Sequence, residues 1–393
     1  MDQQSFLNLL ASSVQNEVSD IHLQVGSPPG FRLKGDLVNL KSPALTDKDI
    51  LVILGFLIQD PKARAKIAEL QDYDGSFEVK NLARFRVNVM KNQGRLGVVM
   101  RVIPFLVPTI EKLGLPSVLK KISEMPRGLV LVTGVTGSGK SSTLAAMIDH
   151  LNSTAQLHIL TIEDPIEFVH PQKRARVTQR EVGSDTVNFS HALRAALRQD
   201  PDVILVGEMR DAETIDIALK AAETGHLVFS TVHTNDAIKT IGRLIAVFPP
   251  SEQKMVRLRL SENLAATISQ RLIPRASGKG MVAGQEIMIN NGAIQECIAN
   301  PEMTGQMNDF IQKSFQADGS GGRTFEQHLV QLYLDKTITM EAAMAFSTNP
   351  SDFQRNLMYG SKGADAPKMD DALQLDRPEE NYSGTKPPSL KVA

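Results

Sequence analysis

The hydrophobic positions of this chain fall into two regimes. In residues 1–104, Phe6, Leu9, Leu10 and Val14 recur at helical spacing, whereas Ile21-His22-Leu23-Gln24-Val25 and Phe85-Arg86-Val87-Asn88-Val89 alternate with a period of two. That mixture predicts an α+β module. Pro104, Pro108 and Pro116 then interrupt the pattern, which predicts a linker over 105–122. From 128 to 250, apolar runs at 129–133, 158–162, 203–206 and 227–232 exchange with helical segments at 140–151, 190–198, 212–223 and 236–247. The exchange predicts an α/β fold with a parallel-rich sheet covered by helices, in a second domain spanning 123–358. Its best-marked helix is 212–223: Asp211 caps it, Ile215, Ala218, Leu219 and Ala222 share one face, and Gly225 follows its end.

Composition sets limits on this picture. A chain of 393 residues suggests two or three domains, and 42% hydrophobic residues suffice for their cores. Forty-three basic against 44 acidic residues leave a formal charge of −1, without the electrostatic footprint of a nucleic-acid binder. The single cysteine, Cys297, can form neither an internal disulfide nor a zinc site alone; it reads as a small buried hydrophobe in a reducing compartment. No run approaches the roughly 18 apolar residues of a membrane span, and Met1-Asp2-Gln3-Gln4 lacks the basic start of a signal peptide, so any membrane link is expected to run through partners. Beyond about 360 the chain turns to Asp, Pro, Lys, Gly and Ser, which predicts a disordered tail over 359–393. Gly319-Ser320-Gly321-Gly322 reads as a flexible loop.

The strongest chemical signal lies between the first apolar run and its helix. Residues Gly134 to Ser141 read Gly-Val-Thr-Gly-Ser-Gly-Lys-Ser, a complete Walker A phosphate loop. Its glycines let successive backbone N–H groups turn toward phosphate oxygens, and the following helix aims its positive end at the same anion. Lys140 is placed to reach the β and γ phosphates, and the Ser141 hydroxyl to hold a magnesium ion bridging them. ATP with magnesium is the implied ligand, with Gly134, Thr136, Gly137, Ser138, Gly139, Lys140, Ser141 and Ser142 as candidate contacts.

ATP hydrolysis also needs a carboxylate to orient water and another beside the metal. Thr161-Ile162-Glu163-Asp164-Pro165-Ile166-Glu167 and Gly207-Glu208-Met209-Arg210-Asp211 each follow a predicted strand. We assign Glu163 to water and Glu208 to magnesium, and read Asp164 and Asp211 as caps or supports. In the segment 224–236, His233 follows a strand on the nucleotide side and is the candidate γ-phosphate sensor, ranked above His226.

Taken in order, these segments resemble the secretion-type hexameric ATPases and, within them, the PilT/PilU family of type IV pilus retraction ATPases. Ser19-Asp20-Ile21-His22-Leu23, Arg84-Phe85-Arg86-Val87-Asn88, the phosphate loop, the 161–167 acidic box, the strand ending at Glu208 and the 224–236 histidine box carry the likeness, which spans residues 1 to about 355. The resemblance implies a homo-hexamer in which a PAS-like N-terminal domain packs on a neighbour's RecA-like domain, with ATP between them. It further implies arginine fingers, matched by Arg86, Arg95 and Arg101 with Arg84 a further candidate. Arg84 and Arg86 stand two apart and would share a strand face. The implied work is pilus retraction in twitching motility, at the cytoplasmic face of the inner membrane, against a platform protein.

Extension and type II secretion relatives carry a tetracysteine zinc module and a further N-terminal domain; one cysteine and an early Ser19-Asp20 favour retraction. Where retraction ATPases often show Ala-Ile-Arg-Asn-Leu-Ile-Arg-Glu, this chain has Ala293-Ile294-Gln295-Glu296-Cys297-Ile298-Ala299-Asn300, without either arginine. An accessory PilU-like role beside a second retraction ATPase therefore stays open. So do a ring subunit that binds ATP with little turnover and a nucleic-acid translocase of the same core. Intact Lys140, Glu163 and Glu208 favour a hydrolysing motor, and the neutral charge disfavours the translocase.

Overall fold

A computed structural model describes residues 1–360, apart from 34, 59, 81, 104–105 and 318–320. Residues 361–393 of the expected tail, Gly319 and Ser320 of the expected loop, and the residues at the start of the expected linker lie outside the described residues. Among the described residues, β1 (Asp20–Gln24), β2 (Gly30–Leu33), β3 (Asp36–Asn39), β4 (Asp72–Val79), β5 (Ala83–Asn92) and β6 (Arg95–Ile103) form an antiparallel sheet in the order β3-β2-β1-β6-β5-β4. Burial on β5 alternates: Ala83, Phe85, Val87 and Val89 face a core with Phe6, Leu10, Ile53 and Leu54 of helices Gln3–Gln15 and Asp47–Leu57. Arg84 and Arg86 take the opposite face, as the two-residue period requires. The second helix starts at a capping box in which Thr46 and Asp49 satisfy each other's backbone N–H groups.

The second sheet contains β7 (Gly128–Thr133), β8 (His158–Glu163), β9 (Arg176–Glu181), β10 (Val203–Val206), β11 (Leu227–Val232), β12 (Leu264–Pro274) and β13 (Met281–Ile289), in the order β13-β12-β7-β11-β10-β8-β9. All neighbours pair in parallel except β13, which runs antiparallel on β12, so the sheet is mixed. Strands β7, β10 and β11 are buried along their whole length, which is why they read as largely apolar runs, broken on β11 only by Ser230 and Thr231. Successive residues serve opposite layers. Leu129 and Leu131 join Leu160, Ile204 and Val228 on one side, while Val130 and Val132 join Leu205 and Phe229 on the other. A fourth cluster packs helix Phe325–Leu334 and its successors, through Leu329, Val330 and Phe353, on Ile273 and Val282. Among the described residues no helix is long and apolar enough to cross a membrane.

Phe229 is fully buried at the centre of one layer. Phe229→Ala is expected to cost about 3–5 kcal/mol of stability, read from the midpoint of urea unfolding; a loss below about 1 kcal/mol would mean that the interior closes over the gap.

Candidate active site

The register of the parallel strands brings the chemical groups to one edge. Ile162 pairs with Val206, Val206 with Ser230, and Ser230 with Leu131. Glu163, Glu208, His233 and Gly134 thus lie one to three residues beyond a single row. Cross-links hold these ends: Gly207 N–H donates to the Ile162 carbonyl at 2.8 Å, and the Thr231 hydroxyl to the Gly207 carbonyl at 2.7 Å.

They surround a cavity of about 600 Å³. Thr136, Gly137, Gly139, Lys140, Ser141 and Ser142 line it from the phosphate loop and helix Lys140–Thr154; Glu163, Asp164 and Glu167 from the end of β8; Glu208 and Arg210 from beyond β10; and His233 from beyond β11. Gly134 and Ser138 stand behind the lining. The loop demands glycine at Gly134 and Gly139, whose φ angles are +145° and +87°. A Cβ at Gly134 would lie 2.5 Å from the Gln270 carbonyl oxygen, and one at Gly139 2.8 Å from the Gln270 side chain.

Lys140 is folded over its own loop, its Nζ donating at 3.0 Å to the carbonyls of Gly134 and of Val135. Burial pulls its pKa below that of an ordinary lysine, against the charges of Glu167 and Glu208. Glu163 accepts from the Thr161 hydroxyl at 2.7 Å and from Gln179 Nε2 at 3.1 Å. Burial pushes its carboxyl above the usual range despite those bonds, which makes it a stronger proton acceptor than an ordinary carboxylate. Glu208 pairs with Arg210 Nε at 2.7 Å and stands 3.7 Å from His233 Nε2. Burial and then the Lys140 charge hold the His233 imidazole below its usual pKa, so it is neutral near pH 7.

The arginines separate. Arg101 lines the cavity from β6, with Nε donating to Asp20 Oδ1 at 3.0 Å, while Ser19 Oγ donates to the other oxygen of that carboxylate. Ser19-Asp20 thus holds the cavity arginine. Arg86 is exposed opposite Arg101 in the sheet and does not line this cavity; Arg95 lines another hollow with His22 and Asn92. Arg84 donates to Glu181 at 2.8 Å and to Ser76 at 2.7 Å, and Glu181 also accepts from the Ile166 N–H. That pair, a half-buried arginine on a buried carboxylate, ties the first sheet to the acidic segment after β8.

Other expectations resolve locally. Asp211 caps helix Ala212–Glu223 through Thr214, whereas Asp164 lines the cavity. The His226 ring contacts the Ala221 carbonyl at the end of that helix, away from the cavity lining. Cys297 is buried, as expected, in helix Gly292–Ala299.

Several participants escaped the sequence. His170 lines the cavity, and burial pushes its pKa down to about 4. Gln179 on β9 holds both Glu163 and the Phe168 carbonyl. Glu286 on β13 accepts from Ala237 N–H at 2.8 Å, bracing helix Ala237–Ala246 behind His233, and burial raises its pKa to about 7. Gln270 on β12 reaches the phosphate loop. The one available signal for Gln270 and Glu286 is a polar residue within a strand that also carries a run of apolar positions, which Thr267, Ser269 and Arg271 on β12 and Gln285 on β13 weaken.

A family model for type II/IV secretion system proteins matches residues 4–320. The chain belongs to this family. Among its members, the type IV pilus retraction ATPase PilT of Pseudomonas aeruginosa is 50% identical over 346 residues, 88% of this chain and 98% of the relative. The type IV pilus ATPase PilU of the same organism is 37% identical, over 91% and 92% of the two chains. The crystal structure of the pilus retraction motor PilT with bound ADP superposes with a TM-score of 0.81 at 43% identity, covering 90% of this chain and 99% of that one. Within the secretion family the chain thus groups with PilT and PilU.

Two outcomes test this geometry. Arg84→Ala strands a buried Glu181 and is expected to cost about 3–5 kcal/mol, while Arg86→Ala should stay within about 0.5 kcal/mol; equal losses in thermal unfolding would contradict the assignment. Glu286 has a folded pKa of about 7 against an ordinary 4.5, so its contribution is present below pH 4.5 and lost as pH rises through 7. Glu286→Gln should therefore raise the melting temperature relative to the parent more at pH 8 than at pH 5; a pH-independent difference would overturn the cause.

Proposed function

We propose that this chain is an ATP-hydrolysing motor that works as a ring of six to retract type IV pili, powering twitching motility. One observation carries the reading: the phosphate loop, Glu163 and Glu208 line a single cavity in a chain 50% identical to a retraction ATPase. Residues 1–104 are a PAS-like domain and 123–358 a RecA-like ATPase domain, a division that the separate cores of the two sheets support, while Ile110, Leu115, Val118, Leu119 and Ile122 of the expected linker 105–122 pack into the second core and so extend that domain toward the N-terminus.

In the reaction, loop N–H groups and Lys140 hold the β and γ phosphates, Lys140 leaving the Gly134 and Val135 carbonyls to do so. Glu163 accepts the proton of the attacking water, and neutral His233 reports the terminal phosphate through Glu208. Magnesium needs few protein ligands when phosphates and water fill its shell, and the Ser141 hydroxyl and Glu208 carboxylate, both lining the cavity, are oxygen donors that would fit that demand. When bound it neutralises charge on the transferring phosphate. Arg101 supplies a cation on its own subunit's cavity, and exposed Arg86 and Arg95 are available to a neighbour in the ring. The motor acts at the cytoplasmic face of the inner membrane on a pilus platform protein, without direct nucleic-acid contact.

Gln295 and Ala299, in place of two family arginines, favour a second reading: an accessory subunit beside another retraction ATPase.

Lys140→Ala and Glu208→Ala are expected to abolish pilus retraction in cells at unchanged protein level; retraction retained by either contradicts the mechanism. Glu163→Gln should lower kcat by about 10²–10⁴, and Arg101→Ala by about 10³ or more, both with ADP affinity little changed.

A further inference from the structure

We propose that Gln270 is a positioning residue for nucleotide binding, because it sets the direction of the Gly139 N–H. The inference rests on the reading of the cavity as a nucleotide site.

Gln270 is 2% exposed on β12, and its Nε2 donates to the Ser138 carbonyl at 2.6 Å. A carbonyl oxygen only accepts, so the amide nitrogen must face the loop and Oε1 must face away from it. Oε1 there accepts from the Thr143 hydroxyl at 2.7 Å and from Gln285 Nε2 at 2.8 Å, both from fully buried residues. The amide thus has one orientation.

In a planar trans peptide, the carbonyl of one residue and the N–H of the next point in opposite directions. Holding the Ser138 carbonyl against Gln270 therefore turns the Gly139 N–H the other way, and Gly139 lines the cavity. An anion nest needs its N–H groups inward and its carbonyls outward, and an outward carbonyl buried under a strand needs a donor. Gly139 sits at φ +87°, in a loop where a turned peptide would present the Ser138 oxygen to the phosphates. The brace continues outward: Gln285 N–H donates to His328 Nδ1 at 2.9 Å, and burial keeps that imidazole neutral by pushing its pKa to about 3.

The test is ADP affinity of the full chain with magnesium, by titration calorimetry. Gln270→Met keeps the volume and removes the donor, and should weaken ADP by about tenfold, near 1.4 kcal/mol. Gln270→Glu can donate to Ser138 only while its carboxyl is protonated, so its ADP affinity should fall with rising pH relative to the parent. A side chain that merely packs would lower the melting temperature without moving either readout. Gln270→Met binding within twofold of the parent, or a Gln270→Glu profile parallel to the parent, would overturn the proposal. If Gln270→Met fails to fold, the Gln270→Glu profile alone decides. An unmodified chain that binds no ADP would instead refute the nucleotide-site reading.

Discussion

Parallel pairing across four buried strands is the constraint from which the rest follows. Because Ile162, Val206, Ser230 and Leu131 lie in one hydrogen-bonded row, every chain segment leaving these strands emerges at the same edge. The strands are held by packing on both faces, so neither the phosphate loop nor the two acids can shift without disturbing two hydrophobic layers. A one-residue slip would move every buried side chain of a strand to the other layer. Chemistry at this edge is thus positioned by the interior.

The cavity opposes charges at short range without cancelling them. Lys140, Arg101 and Arg210 face Glu163, Asp164, Glu167 and Glu208. Each cation is engaged: Lys140 on loop carbonyls, Arg101 on Asp20, Arg210 on Glu208. In the proposed mechanism polyphosphate offers these groups stronger partners, and that exchange would link nucleotide state to β6 through Arg101. The Arg84–Glu181 pair ties the two sheets directly, with a half-buried guanidinium on a buried carboxylate.

Much of this was legible in the sequence because the decisive segments are locally extreme. Strands buried on both faces are largely apolar runs, and helix Ala212–Glu223 carries its cap in Asp211. The phosphate loop, Glu163, Glu208 and His233 were readable for the same reason, since each directly follows such a run. What escaped depends on tertiary contact. Strand β9, Arg-Val-Thr-Gln-Arg-Glu, is a polar edge strand with no strong period, and β12 and β13 interleave Gln270, Gln285 and Glu286 with apolar residues. Those side chains are tolerated inside because they find partners on other elements, which no local pattern reveals. The arginines show the same limit: the period-two pattern put Arg84 and Arg86 on one face, but only the fold separates Arg84 in an ion pair from Arg86 in solvent.

One edge of this sheet hydrolyses ATP. Magnesium-dependent phosphate release by the purified full-length chain, followed across concentrations at which rings assemble, tests it most directly. Turnover is expected to rise with assembly and to stop when magnesium is chelated. Tight ATP binding with no turnover at any concentration would contradict it.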